Sequence, residues 1–196
     1  AAAEEFTVSD VELDNRFREI LNTGVHGFCF SPYADDQRPG SALSDVQIQS
    51  RLDVIKPYAK WVRTFSCTDG NEMIPKIAHE NGLKTMVGAW LGNNLDDNEK
   101  EITNLIDIAR DGYADNIAVG NEVLYRDDLN EEQLISYIDR VKKALPDISI
   151  GYVDAYYEFV NRPSLTDACD IVFANCYPYW EGCRFEYSLL YMKDMY

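Results

Sequence analysis

Apolar and polar positions along the chain follow two different periods. Six short runs are apolar or β-branched almost throughout: "VHGFCF" from Val25, "WVRTF" from Trp61, "KTMVGAW" from Lys84, "NIAVGNE" from Asn116, "SIGYVDA" from Ser149 and "IVFANCY" from Ile171. Runs of this length between polar turns predict strands buried on both faces. Between most of them, apolar residues recur at helical spacing. Ile48, Leu52, Ile55 and Ala59 share one face, as do Ile102, Leu105, Ile106 and Ala109, and then Leu134, Ile138, Val141 and Leu145. Asn130 with Gln133 has the form of a capping box, and Asn81-Gly82 that of a helix stop. Ser9 with Glu12 opens an additional helix carrying Val11, Leu13, Phe17, Ile20 and Leu21. Residues 1–23 are therefore expected to form an N-terminal helix leading into a domain that spans residues 24–196. The connection between the fifth and sixth runs is short and irregular.

Alternating strands and helices imply a parallel sheet covered on both faces. An open doubly wound sheet competes with a closed (β/α)8 barrel. The nucleotide-binding form of the first needs a GxGxxG or GK[ST] loop after a strand, and neither is present. Strand starts lie about 22 to 36 residues apart, so eight units would need ~250 residues, the usual barrel length. The 196 residues have room for about six. The final "FEYSLLYMKDMY" reads as a helix in progress. The expected fold is an α/β (β/α)8 TIM barrel, incomplete as given, ending before its seventh strand. An open segment of this kind exposes pairing edges at "VHGFCF" and "IVFANCY", which invites self-association.

Charge narrows the partners. Against 18 basic residues stand 34 acidic ones, a formal net charge of −16. Such a surface repels phosphate backbones and anionic lipids, which argues against nucleic-acid and membrane partners and suits a neutral ligand. No apolar run approaches the ~20 residues of a membrane span, and no signal peptide is visible. The opening "AAAEEF" has the look of a processed or engineered end. Of five cysteines, Cys29, Cys67 and Cys176 sit in apolar runs and read as small buried hydrophobes. Cys169 and Cys176 could pair, although nothing in the sequence requires it. There is no CxxC, and the two histidines, His26 and His79, offer little to a zinc site or a His-based triad. His79, in "IAHENG", reads as a helix C-terminal residue favoured by the dipole. The pairs Asp35-Asp36, Asp96-Asp97 and Asp127-Asp128 fall in predicted loops without calcium-loop spacing, and read as solvated turn or cap residues. No metal or cofactor is expected.

In a barrel of this type the working residues lie at the C-terminal ends of the strands. Those ends carry Ser31, Pro32 and Tyr33; Arg63, Phe65 and Ser66; Trp90; Asn121 and Glu122; Asp154, Tyr156 and Tyr157; and Asn175, Tyr177, Tyr179 and Trp180. They combine a carboxylate flanked by an amide, an arginine and a ring of aromatics. A sugar suits such a set, since its C–H faces stack on rings while its hydroxyls need polar partners. Burying an unpaired carboxylate costs several kcal/mol, so Glu122 needs either a salt-bridge partner, such as Arg63 or Arg126, or a chemical role. Trp90 and Trp180 suit either a sugar platform or rim packing.

"SPYADDQRPG", "VRTFSCTDG", "VGNEVLYR" and "NCYPYW" together resemble the family 17 glycoside hydrolases, the β-1,3-glucanases with two catalytic glutamates. The likeness runs from about Gly24 to the last residue, in order and at barrel spacing. The resemblance implies a retaining glycosidase acting on β-1,3-glucan, with Glu122 as general acid/base, Asn121 bonding the sugar 2-hydroxyl and Tyr177 supporting the nucleophile. The strand-end residues Tyr33, Arg63, Trp90, Asp154, Tyr179 and Trp180, with Asp69 of the "VRTFSCTDG" stretch, are the further candidate substrate-binding residues. The family nucleophile is a second glutamate on the seventh strand, usually in a Glu-Thr-Gly-Trp-Pro setting, and no such stretch occurs here. Retaining hydrolysis needs two carboxyls about 5–5.5 Å apart, so this chain alone is expected to be inactive. A glucanosyltransferase of the same family and a non-catalytic glucan-binding barrel remnant are the rival readings. The resemblance further implies an extracellular, periplasmic or cell-surface location.

Overall fold

All six apolar runs become strands, and all of them are parallel: β1 (Val25–Cys29), β2 (Ala59–Arg63), β3 (Lys84–Ala89), β4 (Asn116–Asn121), β5 (Ser149–Ala155) and β6 (Ile171–Asn175). The structure is a computed structural model that describes residues 9–196. Residues 1–8, which include the "AAAEEF" end, lie outside it. Each strand is hydrogen-bonded to its sequence neighbour, in the order β1-β2-β3-β4-β5-β6. The result is the expected barrel architecture as an open sheet of six β/α units. Every strand therefore delivers its C-terminal end to the same edge.

The intervening helices are α2 (Asp45–Ile55), α3 (Ile74–Glu80), α4 (Leu95–Arg110) and α5 (Glu131–Ala144). α1 (Asp10–Thr23) precedes β1, and α8 (Ser188–Met195) follows β6. The capping box at Asn130 and Gln133 forms, with both reciprocal bonds present. α3 stops at Asn81, and Gly82 takes the left-handed φ of 78° that a glycine tolerates at such a stop. Ser9 caps α1 by accepting the Glu12 N–H, although none of that helix's residues is buried. Ile102, Leu105 and Ala109 of α4, and Leu134, Ile138 and Val141 of α5, are buried against Val87, Ile117, Val119 and Ile150 of the central strands. A smaller cluster joins Ile48, Leu52, Ile74 and Ile77 to Phe30 and Val62. Each such aliphatic contributes about 1.5–3 kcal/mol by leaving water.

Several sequence expectations are corrected. Ala59 begins β2 rather than extending α2, because Pro57 cannot continue a helix. The irregular β5–β6 connection holds two short helices, α6 (Tyr156–Asn161) and α7 (Pro163–Ala168). Pro163 divides them, and neither is long enough to display a period. Asp96 and Asp97 occupy the first turn of α4, capped by Asn94, where the helix dipole favours carboxylates. Cys67 is fully buried, but Cys29 is exposed and Cys176 only partly covered. Both lie on or beside the outer strands, which have a neighbour on one side only. All five cysteines are free thiols. His79 lies in the last turn of α3, and its Nε2 also sits 3.1 Å from the Asp115 carboxylate.

The end of β4 is the irregular part of the sheet. Its register with β5 shifts between Ala118 and Asn121, and the backbone takes positive φ at Gly120 (92°) and at Glu122 (51°). At Gly120 a Cβ would lie 2.8 Å from Val123 Cγ2 and 3.3 Å from the Tyr152 ring. Past this kink the Glu122 N–H donates to the Val153 carbonyl at 2.7 Å. The buried Tyr152 hydroxyl accepts the Leu124 N–H at 3.1 Å and donates to the Asp154 carboxylate. Asp154 also accepts the Ala155 N–H at 2.8 Å and the Tyr125 N–H at 3.4 Å. The segment that carries Glu122 is thus fastened to β5 at several points.

Three substitutions test this packing by urea denaturation. A Cβ at Gly151 would stand 2.1 Å from the Ile171 carbonyl oxygen, so Gly151→Ala should destabilise by about 1–3 kcal/mol or more. The same change at Gly92, where a Cβ meets nothing within 4 Å, should stay within about 0.5 kcal/mol. Tyr152→Phe leaves a buried amide and a buried carboxylate each one partner short, and should cost about 1–3 kcal/mol.

Candidate active site

Glu122 stands half-buried at the end of β4, with Oε1 accepting the Asn175 Nδ2–H at 2.7 Å from the end of β6. Neither arginine available as an ion-pair partner meets it. Arg63, the last residue of β2, donates through Nη2 to the Asn121 side-chain oxygen. Arg126 donates through Nη1 to the Asn121 backbone carbonyl and through Nη2 to the Leu91 carbonyl at 2.9 Å. Among the described residues Glu122 makes no salt bridge. The carboxylate is therefore oriented by a neutral amide, with its second oxygen open to other partners.

Arg63 is unusual in what surrounds it. Its guanidinium lies 4.6 Å from the centre of the Phe65 ring, and Nη1 is 3.9 Å from the Cys29 sulfur. Its Nε is buried without a hydrogen bond. Among the described residues no carboxylate forms a salt bridge with it. Tyr177, after β6, is half-exposed, and its hydroxyl is pushed above the ordinary tyrosine range by burial first and by the negative charge of Glu122 second, with Arg63 opposing. Glu122, Asn121, Arg63 and Tyr177 thus come together at the ends of β2, β4 and β6.

Beside them opens a cleft of about 490 Å³, lined by Tyr33, Phe65, Asp69 and Trp90 among others. It lies over the ends of β1, β2 and β3. Asp69 takes a φ of 56°, which with Glu122 and Asp127 makes three left-handed non-glycine residues among those described, and Gly70 after it takes one of 88°. Asn71 donates to the Tyr33 hydroxyl at 3.1 Å, which fixes that ring at the mouth of the cleft. Trp90 remains 43% exposed, with one side of its indole against the Arg126 guanidinium at 4.5 Å. An exposed tryptophan face with planar polar groups nearby can hold a pyranose ring.

Other expected residues lie elsewhere. Asp154 is completely buried beneath the end of β4, where burial raises its carboxyl above the usual range against the pull of its hydrogen-bond donors. It braces the site from below rather than lining it. Tyr179 and Trp180 pack edge-to-face at 6.3 Å in the loop after β6 and are 86% and 81% exposed. They are not among the residues that line the cleft.

Sequence reasoning missed Glu101, on α4. Its buried carboxylate accepts the Ser66 hydroxyl at 2.5 Å, the Thr68 hydroxyl at 2.8 Å, the Cys67 N–H at 2.7 Å and the Trp90 N–H at 3.1 Å. Burial raises its carboxyl, with those four donors acting the other way. It ties the β2–α3 loop to the backbone of Trp90 and so shapes two walls of the cleft. The readable signal was position: Glu101 falls in the buried stripe of α4, beside Asn98, Ile102 and Leu105.

The whole span from residue 27 to residue 196 matches the BtgE/BtgC glycoside hydrolase domain. The chain is similar to a glucan 1,3-β-glucosidase of Candida albicans, 27% identical in an alignment that covers 66% of this chain and 48% of that protein. It is also similar to a glucan 1,3-β-glucosidase of Arthroderma benhamiae, 24% identical over 175 residues, 85% of this chain and 55% of that one. The chain thus spans about half the length of these curated relatives. Among solved structures it is similar to the family 17 β-1,3-glucanosyltransferase of Rhizomucor miehei, with a TM-score of 0.76 and 25% identity over 89% of this chain and 66% of that one. An active-site mutant of that enzyme, solved in complex with laminaritriose, matches equally well. By the extent of this match, and with the parallel β/α order and strand-end motifs agreeing, the chain belongs to the BtgE/BtgC glycoside hydrolase family, on the barrel of glycoside hydrolase family 17.

Proposed function

We propose that this chain supplies the acid/base half of a retaining glycosidase acting on β-1,3-glucan, with Glu122 as the general acid/base. The observation that carries this reading is the setting of Glu122. It is a half-buried carboxylate at a strand end, held by an amide and paired with no cation, next to a cleft of aromatic faces. A structural carboxylate in that position would be expected to take one of the two arginines within reach, and both are engaged elsewhere. The names of the relatives support the substrate class.

In this mechanism Glu122 protonates the glycosidic oxygen as the bond breaks, while a second carboxylate attacks the anomeric carbon. Glu122 then removes the proton from the water or acceptor sugar that releases the glycosyl-enzyme. The second carboxylate would come from outside β1–β6, about 5–5.5 Å from Glu122. The Arg63 guanidinium, which no carboxylate among the described residues neutralises, and the Tyr177 hydroxyl suit a carboxylate arriving on that side of the site. Asn121 has its oxygen occupied by Arg63, which leaves its amide N–H groups to donate to a sugar hydroxyl. Tyr33 and Trp90 offer ring faces to the next sugars along the cleft. The likeness to a glucanosyltransferase favours one further reading, transfer to an acceptor sugar in place of hydrolysis. The ratio of elongated oligosaccharides to reducing sugar released from laminari-oligosaccharides decides between the two.

The role of Glu122 is tested by Glu122→Gln in a protein that also carries the second carboxylate. Glucan cleavage should fall by about 10²–10⁴-fold, the worth of positioned acid–base catalysis. An aryl β-laminaribioside with a good leaving group needs little protonation, so its first step should be much less affected. Added azide, which needs no general base, should restore turnover and give a β-glycosyl azide. Equal damage to both substrates with no azide product would make Glu122 a structural residue.

A further inference from the structure

β3 and β4 stop pairing at Ala89 and Val119, yet the residues that matter lie beyond that point. Trp90 and Leu91 follow β3, while Asn121 ends β4 and Glu122 follows it. Nothing in the strand ladder fixes the distance between these two ends. One side chain spans it. Arg126 donates to the Leu91 carbonyl at 2.9 Å with one terminal nitrogen and to the Asn121 carbonyl with the other. Its Nε donates to Asp128 at 2.7 Å, and its flat face covers one side of the Trp90 indole at 4.5 Å. Its own N–H donates to the Glu122 carbonyl at 3.0 Å, so the bridge is rooted in the segment it braces.

We propose that Arg126 is a positioning residue that acts as an extra rung between β3 and β4, locking the Trp90 ring and the Asn121–Glu122 pair into one fixed relation. The planar, forked guanidinium is what the task requires, since it serves two carbonyls and a carboxylate while lying flat on a ring. A lysine ammonium is a point charge without that plane and cannot meet all four partners at once. Because Arg126 covers one face of Trp90, a sugar has only the opposite face to stack on. A sugar held there is set at a defined distance from the Glu122 carboxylate. The kinetic part of the proposal rests on the glycosidase reading above, and the structural part does not.

The test compares Arg126→Lys and Arg126→Met with the parent protein by two readouts. Hydrogen–deuterium exchange on this chain should show residues 89–92 and 119–123 exchanging about tenfold faster together in Arg126→Met, while α5 keeps its parent protection. In a protein active on laminari-oligosaccharides, kcat per folded molecule should drop about ten- to a hundredfold in both variants, the scale of a misplacement near 1 Å, with KM changing less than about threefold. A residue needed only for folding would lower the melting temperature and leave kcat per folded molecule unchanged, and Arg126→Lys, which keeps the charge, guards against reading loss of fold as loss of positioning. Unchanged exchange at both strand ends, or kcat within twofold of the parent in both variants, overturns the proposal. If the parent neither cleaves nor transfers β-1,3-glucan, the glycosidase reading fails. Exchange then decides alone: joint loosening upholds the rung, and parent-like exchange overturns it.

Discussion

The structure turns on the backbone at the end of β4, which must leave the sheet and still present a carboxylate from it. A regular strand would alternate its side chains and would carry Glu122 past the site in step with the ladder. The shift of register and the two left-handed residues break that alternation. A non-glycine residue in this conformation costs about 1–3 kcal/mol and persists only where its surroundings over-determine it. Here they do, through the Val153 carbonyl, the Tyr152 hydroxyl and Arg126. The buried carboxylate of Asp154, puzzling if taken as a substrate contact, is the far end of that bracing.

The electrostatic layout follows from the cost of burying charge. The protein is strongly acidic, yet two arginines occupy its functional edge and both bond to Asn121, one through the side chain and one through the main chain. Acidic groups that enter the interior, Glu101 and Asp154, are surrounded by donors and pushed toward their neutral forms by burial. A third buried acid, Glu158, is raised by burial in the same way and pairs with Arg162. The cleft itself combines the rings of Phe30, Tyr33, Phe65 and Trp90 with neutral hydrogen-bonders and with the charged Asp69, Asp97, Lys100 and Glu101.

The strand set, its parallel order and the strand-end residues were legible in the sequence because burial on both faces and helical period leave strong marks on composition. Asn121, Glu122 and Arg63 were legible for the same reason, as polar residues ending apolar runs. What escaped was set by tertiary context. Glu101 reads as an ordinary helix glutamate until the loop it serves is folded against it. Asp154 lies one residue before the end of β5 and Glu122 one residue past the end of β4, yet Asp154 is fully buried and Glu122 only half so. Tyr179 and Trp180 follow β6 with their rings exposed to solvent, outside the lining of the cleft. The split of α6 from α7 was invisible because each is shorter than the window in which a period can be seen.

The strand order also bears on how the chain is assembled during synthesis. Every rung of the sheet joins a strand to the one made just before it, across a single connection. The entropy of closing such a loop rises only slowly with its length, and no strand has to wait for a distant partner. The domain can therefore be laid down in the direction of translation, each β/α unit docking on a surface that already exists. At every stage the newest strand, already paired to its predecessor, carries an open outer edge, and that edge is the template on which the next unit forms.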